Sequence, residues 1–212
     1  SSAASDVYKR QPYKMQREWL DRLPFDIYSV NVHTGAKRLI GRSYRTAPKW
    51  SVNGKWAVMY DPIAQVWNKF DGATGKVVNI SDAIGYPMFM ESYDKPAPAP
   101  AYGIAGWTAD GNNVFLYDAY DWWKIDLTGE RQPECLTKGY GRKHGKSIRK
   151  MTSNIDKDVF QKDEKVIVSL WDKDTMDEGV YQLDMKGRLR KLMEGNYVYT
   201  IHRFSDNHES VS

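Results

Sequence analysis

The sequence predicts an all-β protein, namely a partial β-propeller of about three four-stranded blades with incomplete strands at both ends. Three observations predict this fold class. A complete hairpin unit occupies residues 107–129, a second copy of it begins 57 residues earlier at Trp50, and its turn recurs near each end of the chain. Hairpins of one outline that recur about every forty to sixty residues match the length of a propeller blade.

The unit over residues 107–129 follows the order turn, strand, strand, turn. Its first turn contains Asp110-Gly111, in which glycine takes a positive φ without steric cost and aspartate tolerates the neighbouring position. The runs 114–117 and 122–127 are rich in aromatic and β-branched residues, which favour strands. The unit ends in a second turn at Thr128-Gly129.

The repeat is visible residue by residue. Four residues of the earlier copy, Trp50, Gly54, Tyr60 and Asp61, align with Trp107, Gly111, Tyr117 and Asp118. The same turn recurs at 30–35, 71–75 and 181–187, and after each of the four turns a second strand returns, over 37–40, 76–80, 133–136 and 188–193. Eight tryptophans and fourteen tyrosines supply the large flat side chains that fill the space between stacked sheets.

The chain divides in order into the following predicted segments. Residues 1–11 resemble a translated sequencing adaptor, so we interpret them as non-native and expect the natural protein to extend upstream. The remainder is predicted to contain half a blade (12–40), a blade (41–84), a proline-rich inter-blade loop (85–103), a blade with a following loop (104–137 and 138–150), a blade (151–193) and the start of another (194–212).

Composition excludes several classes of protein. A hydrophobic content of 41% excludes a disordered tail. The net charge of +4, from 31 basic and 27 acidic residues, indicates no particular partner. The single cysteine, Cys135, excludes an internal disulfide framework and a cysteine-cluster metal site. No apolar run is long enough to predict a membrane span, and no motif predicts a cofactor.

Two basic stretches of the sequence could indicate a nucleotide site or a nucleic-acid site. Gly145-Lys146-Ser147 resembles the end of a phosphate-binding loop, but Tyr140 stands where that motif needs glycine, so no nucleotide site is predicted. The basic run 142–150 is predicted to be a solvated loop, because it lacks an aromatic platform for stacking bases. A nucleic-acid-binding module remains the alternative for that run.

No metal site or catalytic residue is predicted. Residues 172–179 resemble the opening of a calcium loop, but Met176 stands at a ligand position and Asp177 where the turn needs glycine, so an acidic surface hairpin is predicted. The four histidines show no paired spacing. The chain contains no Gly-x-Ser-x-Gly motif, the nucleophile signature of α/β-hydrolases.

Glu91, Tyr93 and Asp94 are the candidate substrate-contact residues. They lie in the proline-rich segment, where an acidic loop flanked by an aromatic ring could attract the amino terminus of a peptide. The competing interpretation is a loop that only covers a sheet edge.

The run Tyr-Gly-Ile-Ala-Gly-Trp that opens residues 102–126, together with 136–142, resembles the propeller region of prolyl oligopeptidase-family serine peptidases. The likeness extends over about residues 20–205 and is greatest to the dipeptidyl-peptidase-like members from Bacteroidetes. It implies a propeller that restricts the access of peptide substrates to a separate C-terminal α/β-hydrolase domain, in a periplasmic or secreted protein. No nucleic-acid partner is predicted.

Two departures limit what the resemblance implies. The paired-glutamate motif with which dipeptidyl peptidase IV holds a substrate amino terminus has no match, so Glu91 does not inherit that role. The catalytic domain has no counterpart in these 212 residues, so this chain alone is not expected to cleave peptides. The alternative is a stand-alone TolB-like or WD-repeat-like propeller that binds proteins. A Gly-x-Ser-x-Gly motif downstream of Ser212 would decide for the peptidase.

Overall fold

The computed structural model describes residues 4–9, 23–151, 158–195 and 199. Within these ranges it contains sixteen strands and one short helix. The elements are β1 (Ala4–Lys9), β2 (Phe25–Asn31), β3 (Lys37–Tyr44), β4 (Lys49–Trp50), β5 (Trp56–Asp61), β6 (Val66–Asp71), β7 (Val77–Asn79), β8 (Ile104–Thr108), β9 (Asn113–Tyr117), β10 (Trp122–Asp126), β11 (Glu134–Cys135), α1 (Tyr140–Lys143), β12 (Lys146–Lys150), β13 (Val159–Phe160), β14 (Lys165–Asp172), β15 (Glu178–Asp184) and β16 (Leu189–Gly195).

The chain forms two compact units, residues 1–101 and 102–212. The first unit contains sheet 1, in the order β1-β2-β3, and sheet 2, in the order β4-β5-β6-β7. Every pair of neighbouring strands in these sheets is antiparallel. Residues 4–9, which we interpreted as non-native, pair with β2 from Ala4 opposite Asn31 to Lys9 opposite Asp26.

The second unit contains sheets 3 and 4. Sheet 3 has the order β11-β10-β9-β8-β13, and sheet 4 has the order β12-β14-β15-β16. Strands β8–β11 form an antiparallel meander, whereas β13 pairs in parallel with β8. Sheet 4 is antiparallel throughout.

These sheets confirm the prediction of an all-β, partial β-propeller. Sheets 2, 3 and 4 each contain a four-stranded antiparallel meander built in chain order, and sheet 1 has three strands. A meander of four short strands is the repeating unit of a propeller blade. The predicted start of a further blade over 194–212 lies almost entirely outside the described residues.

The structure differs from the sequence prediction over residues 138–150. That stretch was predicted to be a loop, with the next blade starting at 151. Instead, residues 140–143 form α1 and residues 146–150 form β12, the first strand of sheet 4. The prediction was wrong there because most residues of β12 are basic, which is not typical of a buried strand. The strand contains a single apolar residue, Ile148, which is fully buried.

The recurring turn is held by a side chain as well as by glycine. In the turn after β6, Asp71 Oδ1 accepts hydrogen bonds from the backbone N–H groups of Ala73 and Thr74, at 2.8 and 3.0 Å. Gly75 then adopts φ 70°, where a side chain would be strained. Asp184 in the β15–β16 turn accepts backbone N–H bonds in the same way. The turn motif of the sequence therefore has a direct physical cause.

The internal repeat is preserved in the packing of the two central strands. Tyr60 is paired across the sheet with Trp67, and Tyr117 is paired with Trp122. The ring centroids of these pairs lie 5.5 and 5.2 Å apart, within the range of favourable aromatic contacts. All four side chains are buried.

Each unit has its own apolar core. In the first unit the core lies between sheets 1 and 2 and consists of Phe25, Ile27, Ile40, Tyr44, Ala57, Met59 and Phe70. In the second unit it lies between sheets 3 and 4, where residues of both sheets surround Trp122, which is fully buried. Phe160 of β13 joins this core and packs on Phe115, with centroids 5.7 Å apart. The side strand β13 is therefore anchored by its aromatic side chain.

No helix in the described part of the chain is long and apolar enough to cross a membrane.

Candidate functional site

The three candidate substrate-contact residues lie on an irregular segment in the first unit. The backbone closes this loop at its base through the bridge between Phe89 and Ala101 and a hydrogen bond from Met90 N to Pro100 O of 2.8 Å. Glu91 and Asp94 are exposed beyond that base, and Tyr93 is half-buried between them. Two carboxylates separated by two residues therefore project from a loop whose ends are fixed.

This loop can attract a cation, but only weakly on its own. Exposed carboxylates act through high-dielectric solvent, so an ion pair there contributes roughly 0.2–1 kcal/mol. The half-buried ring of Tyr93 adds a surface on which an aliphatic or aromatic group can pack. The loop therefore suits contact with the end of a peptide as it passes, and it lacks the buried charge of a tight site.

In contrast to the exposed loop, a network of buried polar side chains lies inside the second unit. Asp118 and Asp121 occupy the turn between β9 and β10 and are 0% and 1% exposed. Asp118 Oδ1 accepts the backbone N–H groups of Tyr120 and Asp121 at 2.7 and 2.6 Å. Its Oδ2 accepts from Trp123 Nε1 and from the Arg142 guanidinium, both at 3.1 Å. Every oxygen of this carboxylate therefore has a partner, as a buried charge requires.

Asp121 fixes the connection from sheet 3 to sheet 4. Its Oδ1 accepts hydrogen bonds from Thr137 Oγ1 at 2.6 Å and from Gly141 N at 2.9 Å. Its Oδ2 accepts from the backbone N–H of Arg142 at 2.9 Å. Gly141 has no room for a side chain, since an added Cβ would lie 2.6 Å from the carbonyl oxygen of Tyr120. One carboxylate thus sets the position of helix α1.

Arg149 on β12 completes the junction. Its guanidinium donates to the carbonyl oxygens of Asp118 and Ala119 at 2.7 and 3.2 Å. It also lies over the rings of Tyr117 and Tyr102, 4.7 and 5.3 Å from their centroids. Burial lowers the pKa of Arg149 and raises the pKa of Tyr117 to about 12. These buried, hydrogen-bonded groups connect the two sheets of the second unit.

The basic run 142–150 is therefore not the solvated loop that the sequence predicted. Arg142 pairs with Asp118, Lys146 with Glu194 at 2.9 Å, and Lys150 with Asp158 at 2.7 Å, while Arg149 is stacked between tyrosines. Only Lys143 and His144 of the run are exposed. Most of the charge that motivated the nucleic-acid alternative is thus used within the protein.

The metal-like motif and the single cysteine have ordinary structural roles. Residues 172–177 form the turn between β14 and β15, where Asp172 Oδ1 accepts from the backbone N–H groups of Asp174 and Thr175. No group of three or more potential metal-ligating side chains occurs among the described residues. Burial raises the pKa of the Cys135 thiol and so disfavours the thiolate.

The structure also brings together a cleft that sequence reasoning missed. It has a volume of about 540 Å³ and lies in the second unit, at the end of sheet 3 where the β8–β9 and β10–β11 turns meet. Residues 160–162 and Met185 line its other side. Its lining comes from four separate stretches of chain, so no local motif could have marked it.

Comparison with known proteins assigns this chain to no family. No protein-family model matches the chain, and no curated protein matches it. Among solved structures, it is similar to TolB from Acinetobacter baumannii, with a TM-score of 0.47 and 16% identity over 89% of this chain and 42% of that chain. It is also similar to hydrazine synthase from Kuenenia stuttgartiensis, with a TM-score of 0.43 and 13% identity over 88% of this chain and 48% of that chain.

A third similar structure is a luciferin-regenerating enzyme, with a TM-score of 0.38 and 13% identity over 85% of this chain and 59% of that chain. The chain thus spans from 42% to 59% of the length of these three structures. Such distant likenesses carry no argument about activity.

Proposed function

We propose that this chain is the non-catalytic propeller part of a prolyl oligopeptidase-family serine peptidase. In this proposal the propeller limits which peptides reach a separate C-terminal α/β-hydrolase domain and supports that domain mechanically. One observation carries the proposal. The two segments on which the family resemblance rests, 102–126 and 136–142, meet in the buried network of Asp118, Asp121 and Arg142.

That network supports a scaffold role because of its chemistry. A gate must keep its shape while peptides pass, and two meanders joined only by apolar packing could slide against each other. Charge-assisted hydrogen bonds add a fixed geometry, since they are directional and roughly twice as strong as neutral ones. The network connects the β9–β10 turn of sheet 3 to α1 and, through Arg149, to the first strand of sheet 4.

Within this function, Glu91, Tyr93 and Asp94 are proposed to contact the amino-terminal part of a passing peptide. The exposure of Glu91 and Asp94 and the position of all three residues on a loop with a closed base support this role. The expected contribution is modest because solvent screens exposed charges. Replacing Glu91→Gln together with Asp94→Asn should raise KM for peptides with a free amino terminus by about threefold and leave acetylated peptides unchanged.

A matched control for that experiment is Asp82→Asn with Glu164→Gln. Both residues carry carboxylates on other segments, so the same charge is removed from outside the loop. Equal effects of the two double variants, or equal effects on free and acetylated peptides, would remove the loop from the substrate path.

The proposed function as a whole is tested on the natural protein, extended downstream of Ser212. We expect the extended protein to contain a Gly-x-Ser-x-Gly motif and to be labelled by a fluorophosphonate probe, which reacts with activated serine nucleophiles. The 212-residue chain alone should not be labelled and serves as the control. If the natural protein is not labelled and cleaves no peptide, the peptidase proposal fails, and the alternative of a protein-binding propeller becomes the better one.

A further inference from the structure

The cleft at the end of sheet 3 has a composition that neither the fold nor the proposed function requires. Three basic side chains line it: Lys124 from β10, Arg131 from the β10–β11 turn, and Lys162 beyond β13. None of the three side chains makes a hydrogen bond or a close ion pair with any residue that the structure describes, although the charge of Lys124 helps to lower the pKa of the nearby Asp110. This contrasts with Lys146 and Lys150, which are both paired with carboxylates.

Two of the carboxylates in the cleft are occupied by the turns that they support. Asp110 accepts hydrogen bonds from Thr108 Oγ1 and from the backbone N–H of Asn112 at 2.5 and 2.9 Å. Asp126 accepts from the backbone N–H groups of residues 128, 130 and 131, at 2.9 to 3.1 Å. These bonds lower the pKa of both aspartates and orient positive N–H dipoles toward their charge. Glu130 is the remaining acidic side chain in the lining, and it is exposed.

Three apolar side chains line the cleft, but Phe115 and Phe160 are 1% and 3% exposed, so the half-buried Met185 is the one of the three that offers surface to a ligand. Phe115 and Phe160 are both part of the core between sheets 3 and 4, and Met185 packs against that core. All three side chains also line the cleft. The exposed part of Met185 beside three basic side chains suits a ligand with a hydrophobic body and an anionic end. Such a ligand would gain from covering Met185 and from its attraction to the cations.

We propose that this cleft is a binding site for a carboxylate attached to an apolar body, with Lys124, Arg131 and Lys162 holding the carboxylate and Met185 contacting the body. This chemistry is shared by a small aromatic acid and by the carboxyl terminus of a peptide that ends in an apolar residue. The proposal does not depend on the proposed peptidase function, because the cleft lies wholly within the second unit and its ligand needs no hydrolase domain.

The first test measures ligand binding to the 212-residue chain by calorimetry or by NMR titration. N-acetylphenylalanine is compared with N-acetylphenylalaninamide, which has the same body without the charge, and with acetate, which has the charge without the body. We expect the acid to bind at least about fivefold more tightly than either. Equal binding of the acid and the amide, or no binding of the acid, would overturn the proposal.

The second test removes the cations one at a time. Lys124→Gln and Lys162→Gln should each weaken binding of the acid about threefold, with no change for the amide. Arg131→Lys keeps the charge and should bind nearly as tightly as the unaltered chain. Lys143→Gln removes an exposed cation outside the cleft and should have no effect. If Lys143→Gln weakens binding as much as the cleft variants do, the effect is that of net charge, and the site is refuted.

A third measurement identifies the source of the carboxylate. The tripeptide Ala-Ala-Phe is titrated as the free acid and as the amide. Tighter binding of the tripeptide acid than of N-acetylphenylalanine assigns the cleft to peptide carboxyl termini, and the opposite order assigns it to small acids. Circular dichroism of each variant confirms that a loss of binding is not a loss of fold.

Discussion

The Asp121 carboxylate offers the sharpest test of how the two sheets of the second unit are joined. It is 1% exposed and accepts three hydrogen bonds, from Thr137 Oγ1, Gly141 N and Arg142 N. Replacing it by alanine leaves three donors without their acceptor in a place that water reaches poorly. An unsatisfied buried donor costs about 1–3 kcal/mol, and the three losses are not fully additive because α1 can shift.

We therefore expect Asp121→Ala to lower the free energy of unfolding by about 3–5 kcal/mol. A loss of that size is a large part of the 5–15 kcal/mol that stabilises an ordinary domain, and it should lower Tm by roughly 10 °C or more. The assay is chemical denaturation followed by tryptophan fluorescence, because Trp122 lies next to the altered side chain in the chain and is fully buried.

Asp126→Ala is the matched control. Asp126 also accepts several backbone N–H bonds, but it lies in an exposed turn where water can replace the lost acceptor. Its replacement should cost about 1 kcal/mol. If the two variants lose the same stability, to within about 1 kcal/mol, the junction does not depend on the buried carboxylate and the reasoning is refuted.

Two further predictions concern the same unit. Gly106→Ala should detach β13 from β8, because an added Cβ would lie 2.8 Å from the carbonyl oxygen of Asp158, and hydrogen exchange at the Trp107 amide should then accelerate. Gly85→Ala is the control, because an added Cβ there meets no atom within 4 Å. Equal exchange rates at the Trp107 amide in both variants would contradict the prediction. The second prediction is alkaline destabilisation. Tyr117 has a pKa raised by burial from 10.0 to about 12, so the neutral phenol stabilises the fold below pH 10, and this contribution is lost as the pH rises through about 12. The free energy of unfolding should thus fall more steeply between pH 10 and pH 12 in the unaltered chain than in Tyr117→Phe, and parallel curves would contradict it.

The hairpins were predictable because their signals are local. Asp71 and Gly75 lie within one turn and specify it by a side-chain hydrogen bond and a positive φ, and both effects can be recognised from adjacent residues. The aromatic and β-branched residues that predict β9 and β10 likewise lie within a few positions of one another. Fold class and most strand positions followed from such signals.

The junction and the cleft were not predictable because they depend on residues that are distant in sequence. Asp118 and Arg142 are 24 residues apart, and neither type of residue indicates a buried ion pair by itself. Strand β12 was missed because only Ile148 and Ser147 of its five residues are buried. Strand β13 has two residues and pairs in parallel with β8, and no turn motif predicts this pairing. The cleft combines turns from both sheets.

The gating role is tested most directly by the size dependence of hydrolysis. If the proposed peptidase with a hydrolase domain downstream of Ser212 exists, kcat/KM is measured in that protein for one scissile sequence presented in a short peptide, in a peptide of about thirty residues and in a loop of a folded protein. A propeller that restricts access predicts efficient cleavage of the short peptide, a marked fall for the longer one and none for the folded protein. Equal kcat/KM for all three substrates would contradict the account.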